Sequence, residues 1–232
     1  MKKILVVDFG SQYTQLIARR LRELSVYSEV CPWDEISVLD DVEGFILSGG
    51  PESSNIDGNP TIDDLIFNSK KPILGICYGM QVLAHQESGK IINEGKKEFG
   101  YAKIDVKESA VLFKNINQSC DVWMSHGDKV ETLPDGYVVA ATSNNSPIAA
   151  YENISKNYFG LQFHPEVTHT ENGALIIKNF IDICGIEQNW TPTDILQQID
   201  SFVKEEIKDD DVLLALSGGV DSTVLAAVLH RI

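Results

Sequence analysis

The sequence predicts an α/β protein: an open, mostly parallel sheet flanked by helices, an added β-rich region, and the truncated start of a second α/β domain. Three observations predict it. Short apolar runs alternate with segments of helical periodicity in the N-terminal part. Beyond Gly100 the pattern becomes short alternating segments, which suit half-buried strands. Near residue 190 the composition shifts, and a new apolar run follows an acidic stretch. The expected division is therefore residues 1–189 and 190–232.

Taken in order, Lys3–Asp8 is the first strand, because its apolar run is broken at Asp8, too early for a signal peptide. Leu16, Ile17, Leu21 and Leu24 then fall on one helical face, with Arg19, Arg20 and Arg22 elsewhere. A second strand is expected at 26–30 and a third at 44–47, ending in Ser48-Gly49-Gly50-Pro51. A helix over 61–69 precedes the apolar run Pro72-Ile73-Leu74. Further strands are expected at 102–106, 136–141, 148–151 and 158–162. A helix starting at Thr170 or Glu171, with Ala174, Ile177 and Ile181 inward, closes this unit. Residues 185–193, with Trp190 and Pro192, read as a linker. An amphipathic helix over 193–207, an acidic turn at Asp209-Asp210-Asp211, a strand at 212–216 and a helix at 223–229 follow.

The 232 residues carry 19 basic and 34 acidic side chains, a formal charge of −15. Such a surface repels a duplex and argues against nonspecific nucleic-acid binding. No apolar run reaches the length of a membrane span. Cys31, Cys77, Cys120 and Cys184 form neither a CxxC pair nor a Cys/His cluster. That spacing supports no zinc site and no disulfide framework, and it fits a reducing cytosol. No metal site is expected from these residues.

The most informative motif is Gly75-Ile76-Cys77-Tyr78-Gly79. A cysteine framed by glycines, after a strand and before a helix, is what a nucleophile elbow requires. The turn lifts the sulfur clear of the backbone and points the Tyr78 N–H toward the same space. A helix N-terminus there favours a thiolate. Taken alone, the same cysteine would suit a small buried hydrophobe.

Four segments supply supporting chemistry. His164 and Glu166 lie two apart at a strand end, so both side chains face one way and Glu166 can hold the His164 ring from behind. Read alone, they could equally be a surface pair. Gly49 and Gly50 leave backbone N–H groups free for a ligand, and the Gly50 N–H with the Tyr78 N–H could form an oxyanion hole. A plain tight turn explains them equally well in isolation. Ser125, His126, Gly127 and Asp128 cluster polar groups suited to the ammonium and carboxylate of an amino acid, with a rival base reading open for His126. Gln81 lies one turn into the helix after Cys77 and faces the same pocket. His85 and His230 read as structural or solvated, and His169 as a helix cap.

On Gly75–Gly79, Gly160–Glu166 and Ser48–Pro51, the chain resembles the class I glutamine amidotransferases. That resemblance implies glutamine hydrolysis through a Cys-His-Glu triad, with Cys77 as nucleophile, His164 as base and acid, and Glu166 as orienter. Asp8-Phe9-Gly10-Ser11-Gln12-Tyr13 and Glu98-Phe99-Gly100-Tyr101, with residues 123–128 and 162–169, are similar to the branch that aminates xanthosine monophosphate (XMP) to GMP. Related branches make anthranilate, carbamoyl phosphate or CTP, and peptidases, γ-glutamyl hydrolases and non-catalytic binding modules share similar scaffolds.

Ser217, Gly218, Gly219, Val220, Asp221, Ser222 and Thr223 form a loop at a helix start. It is not a Walker A loop, but its N–H groups and hydroxyls favour a phosphate. It resembles the pyrophosphate loop of the ATP pyrophosphatases. The resemblance thus implies ATP and Mg²⁺ for a full-length, homodimeric synthase, with no cofactor needed for glutamine hydrolysis. The remaining nucleotide site, the XMP site and the dimerisation region have no counterpart in these residues. By itself the chain is expected to be at most a glutaminase.

Overall fold

The computed structural model describes residues 1–37, 39–53, 58–93, 97–208 and 210–232. The chain divides into two compact units, Met1–Gln188 and Asn189–Ile232.

The first unit is built on a nine-stranded sheet. Its strands are β1 (Lys3–Asp8), β2 (Ser28–Pro32), β3 (Val42–Leu47), β4 (Ile73–Ile76), β6 (Glu98–Val106), β7 (Ser119–His126), β9 (Val138–Ser143), β10 (Ala150–Asn153) and β11 (Tyr158–Leu161). Their spatial order is β2-β1-β3-β4-β11-β10-β9-β6-β7. The first five in that order pair in parallel, and the rest pair antiparallel. The expected β-rich addition is therefore an extension of the same sheet. A small second sheet pairs β5 (Lys90–Ile92) with β8 (Lys129–Thr132).

Alternation along β1 divides the core between the two faces. Ile4 and Val6 join the cluster that contains Ile17, Ala18 and Leu21 of α1 (Thr14–Glu23) and Ile176, Ile177, Phe180 and Ile181 of α4 (Gly173–Cys184). Leu5 and Val7 join the other, with Met80, Val82, Leu83 and Ala84 of α3 (Tyr78–Gln86). A parallel strand buried on both faces reads as a continuous apolar run, as the sequence of β1 does. The open ends of β1, β3, β4 and β11 lie at the carboxyl edge, where such sheets place their ligand crevice.

Several boundaries differ from the sequence expectation. The helix expected at 61–69 is the shorter α2 (Asp64–Asn68), because Asp63 caps it through the Leu65 N–H at 2.7 Å. The helix expected from Thr170 or Glu171 begins at Gly173. Thr170 is occupied elsewhere: its hydroxyl donates to the His164 carbonyl at 2.6 Å and accepts the Trp123 N–H at 3.0 Å. His169 does not cap that helix and instead packs on Trp123, ring centroids 4.6 Å apart.

The second unit contains α5 (Pro192–Ile207) and α6 (Val220–Arg231). A reciprocal box caps α5: the Asp194 carboxylate accepts the Thr191 N–H at 2.6 Å. The strand expected at 212–216 is not formed. A strand exists through its pairing, and among the described residues this unit offers no other strand; Leu213 is 99% exposed. Asp209 of the expected acidic turn lies outside the described residues.

Candidate active site

Four loops from parallel strands converge at the carboxyl edge. Phe9–Tyr13 follows β1, Ser48–Pro51 follows β3, Cys77 follows β4, and Gln162–Glu166 follows β11. Cys77 stands between β4 and α3 with φ 52° and ψ −105°. A non-glycine residue at positive φ is strained and persists only where its surroundings hold it. Here the Cys77 N–H donates to the Leu161 carbonyl at 2.7 Å, and the Gly79 N–H to the Ser48 carbonyl at 3.0 Å. The flanking glycines are sterically required: a Cβ on Gly75 would lie 2.5 Å from the Met80 nitrogen, and one on Gly79 would run into the Leu47 carbonyl. The Tyr78 N–H, first in α3, has no acceptor within its own helix.

His164 and Glu166 are nearly or wholly buried beside this turn. The His164 Nδ1 lies 2.7 Å from the Glu166 Oε1. The His164 N–H donates to the Trp123 carbonyl at 3.0 Å, and the edge of Tyr13 meets its ring at 5.1 Å. A Cβ on Gly49 would lie 3.3 Å from the His164 Cε1, so a side chain there would crowd the ring. From α1, the Arg20 Nε donates to the Glu166 carbonyl oxygen at 2.9 Å. Burial alone would lower the pKa of His164, but the Cys77 sulfur and the Glu166 carboxylate outweigh it and raise it to about 10. The ring is thus held as an imidazolium beside the sulfur at neutral pH.

Two adjoining cavities meet at Gly50, Pro51, Cys77 and Ser125. One, about 250 Å³, is bounded by His164, Gly49 and the loop from Gly10 to Tyr13. The other, about 390 Å³, is bounded by Gln81, Lys97, His126, Gly127 and Asp128. The second is in the size range of small-molecule pockets.

The structure thus brings Gly49, Gly50, Cys77, Tyr78, Gln81, Ser125, His126, Gly127, Asp128, His164 and Glu166 to one place. The side chains of the 125–128 cluster are more committed than their sequence suggests. The His126 ring is engaged by its own neighbours: Nδ1 donates to the Asp128 carbonyl at 3.0 Å, and Nε2 lies 3.3 Å from the Glu98 Oε2. Neither contact joins the ring to Cys77. Burial lowers its pKa, partly countered by the Asp128 carbonyl and Glu98. The Asp128 carboxylate accepts the Ser53 hydroxyl. Lys97 lines the site, Arg20 reaches Glu166 and Gln162 reaches Gln81 across long sequence gaps, contacts that residue patterns did not single out. Ser217–Thr223 belongs to the other unit. There Gly218 has φ 80°, the Ser217 and Ser222 hydroxyls are 3.0 Å apart, and the Thr223 hydroxyl donates to the Gly219 carbonyl at 2.8 Å.

The sequence profile of class-I glutamine amidotransferases matches residues 5–184. The chain belongs to the class-I glutamine amidotransferases. This amidotransferase is 49% identical over 99% of its length to a protein of Shewanella frigidimarina named GMP synthase [glutamine-hydrolyzing], of which it covers 46%. A Vibrio vulnificus protein of the same name is 47% identical, again over 99% of the chain and 45% of that relative. The amidotransferase therefore spans about half the length of the curated relatives it matches. Among solved structures, a Thermoplasma acidophilum protein described as one subunit of a GMP synthase superposes with a TM-score of 0.69 at 32% identity. The match covers 87% of this chain and 98% of that one. A Thermotoga maritima glutamine amidotransferase (TM-score 0.61, 18% identity, 99% of this chain and 97% of that one) shares the fold. No helix among the described residues is long and apolar enough to cross a membrane.

Proposed function

We propose that this amidotransferase hydrolyses glutamine to glutamate and ammonia through Cys77, His164 and Glu166. The observation that carries the proposal is the strained Cys77 turn beside a buried His164 whose far nitrogen is 2.7 Å from the Glu166 carboxylate. The Cys77 thiolate attacks the side-chain amide carbon of glutamine. The Gly50 and Tyr78 N–H groups face the developing oxyanion, a contribution of about 3–4 kcal/mol per donor at the barrier in comparable sites. The His164 imidazolium gives its proton to the departing ammonia, leaving a γ-glutamyl thioester. His164, now neutral, takes a proton from water, whose oxygen attacks the thioester, and the thiolate leaves. Glu166 keeps the ring in one tautomer throughout. Gln81 and the Ser125–Asp128 wall, with Gly49 at the mouth, hold the amino-acid end of the substrate, and Lys97 supplies a cation for its carboxylate.

The names and half-length coverage of the relatives support a wider reading, in which the ammonia serves an ATP-dependent amination of XMP to GMP. ATP and XMP are then substrates of a synthetase portion to which residues 217–223 contribute. That loop has the small residues and hydroxyls for a phosphate, and α6 offers its first-turn N–H groups. Nothing in the first unit is assigned to ATP or Mg²⁺. Service to another synthase, or a non-catalytic binding role, is the competing reading.

Mass-spectrometric mapping after exposure to a glutamine-shaped electrophile tests the proposal. A single adduct on Cys77, suppressed by free glutamine, is expected, and Cys77→Ala should abolish glutamine turnover. Undiminished turnover in that variant would refute the assignment.

A further inference from the structure

Gln162 is wholly buried and takes no part in the chemistry above, yet its Nε2 lies 3.8 Å from the Cys77 sulfur. It directly follows β11, whose last residue, Leu161, receives the Cys77 N–H. Which end of its amide faces the sulfur is decided by a chain of two hydrogen bonds. The Asp128 carbonyl can only accept, and it takes a hydrogen bond from the Gln81 Nε2 at 2.8 Å. The same nitrogen donates to the Gln162 Oε1 at 3.2 Å. With its oxygen so engaged, Gln162 presents its NH₂ group to Cys77. The main chain at Asp128 therefore dictates, through two side-chain amides, that a donor meets the sulfur.

The opposite contact has the opposite preference. The Ser125 carbonyl lies 3.5 Å from the Cys77 sulfur and can only accept, so it suits a thiol. Gln162 can only donate at this atom, so it suits a thiolate, and hydrogen bonds to ionised partners are the stronger kind. The two groups oppose each other across one sulfur, and His164 supplies the cation beside it.

We infer that Gln162 is a further catalytic residue, donating its side-chain N–H to the Cys77 thiolate in an orientation set by Gln81 and Asp128. This rests on Cys77 being the nucleophile. When the thiol ionises its proton leaves to solvent, because the His164 ring beside it is already protonated, and the sulfur lone pair so freed accepts the Gln162 N–H. That bond weakens while sulfur carries the acyl group and re-forms when the thiolate leaves.

The test is alkylation of Cys77 by iodoacetamide as a function of pH, which does not depend on glutamine being the substrate. The profile belongs to the Cys77–His164 pair as a whole. In Gln162→Met, of similar length but no donor, the rise of the rate should move upward by about one pH unit, the scale of one hydrogen bond to a charged partner. Gln162→Glu should move it further, and Gln81→Met, which frees the Gln162 amide to turn, in the same direction but less. A purely structural role would lower thermal stability and leave all three profiles unmoved, which would overturn the inference. The wild-type chain gives an independent reading should a variant not fold. One buried glutamine NH₂ pair in its ¹⁵N spectrum should shift with the same midpoint as alkylation. The absence of such a pair would also overturn the inference. Loss of glutamine turnover with these shifts intact would instead point to a wrong substrate.

Discussion

The Glu166 Oε1 lies 2.7 Å from the His164 Nδ1, and the other Glu166 oxygen is buried without a hydrogen-bond partner among the described residues. A carboxylate so placed concentrates its interaction on one imidazole. With the Cys77 sulfur on the ring's other side, it overcomes the burial that would otherwise discharge the ring.

The first prediction concerns that charge. Since the His164 pKa is raised from an ordinary value near 6.5 to about 10, its stabilising contribution is complete below about pH 6.5 and declines as pH rises toward 10. Glu166→Gln removes one of the two groups that raise it. The ring ¹³C resonance of His164 should then titrate at lower pH than in the wild type, and the stability lost at alkaline pH should shrink. An unchanged midpoint would show that Glu166 does not support the imidazolium.

The elbow carries a second prediction. A methyl group on Gly79 would collide with the Leu47 carbonyl, which is backbone in a central strand and cannot step aside cheaply. Gly79→Ala should therefore shift α3 and cost about 1–3 kcal/mol in thermal unfolding, the usual range for overpacking. Because the Tyr78 N–H moves with the helix, glutamine turnover should fall more steeply than stability. A variant with normal melting and normal turnover would mean the turn has slack.

These features differ in how plainly the sequence displays them. The elbow is legible because its pattern is local, two glycines flanking a cysteine within five residues, although one of the contacts that demand them, the Leu47 carbonyl against Gly79, is remote in sequence. β7 also carries a local signature, with Cys120, Val122, Met124 and His126 buried and the residues between them more exposed. From the sequence, residues 123–128 are expected only as a polar cluster and not as a strand, so β7 is an unanticipated element. The partner of His126 was not legible at all. Glu98 reaches it only because β6 and β7 pair antiparallel with those two residues opposite. Gln162 meets Gln81 across 81 positions for a similar reason, through folding of the whole sheet. The apolar run at 212–216 shows the converse: local pattern without a pairing partner does not make a strand.

That last segment yields a third prediction. Leu213 and Leu216 are exposed, and residues 212–216 lie in neither a helix nor a ladder. Their amides should exchange with solvent within seconds to minutes, while those of β4 and β11 exchange only on global opening. Strong protection at 212–216 would show that the segment is paired in solution.

The wall opposite the nucleophile carries the fourth prediction. His126 Nδ1 and Gln81 Nε2 both donate to the Asp128 carbonyl, and Glu98, itself held by the Ser146 hydroxyl at 3.0 Å, stands 3.3 Å behind the ring. Removing the imidazole leaves the Asp128 carbonyl with one donor and Glu98 facing an apolar void. His126→Leu should therefore loosen the binding wall and raise KM for glutamine roughly tenfold, the effect of losing about one hydrogen bond of positioning. The ring's polar partners are Asp128 and Glu98 and not Cys77, so iodoacetamide alkylation should stay within about twofold of the wild type, a change too small to signal a lost sulfur contact. If alkylation fell as far as glutamine affinity, His126 would be acting on the sulfur, directly or through the Asp128–Gln81–Gln162 relay, and not on the wall alone.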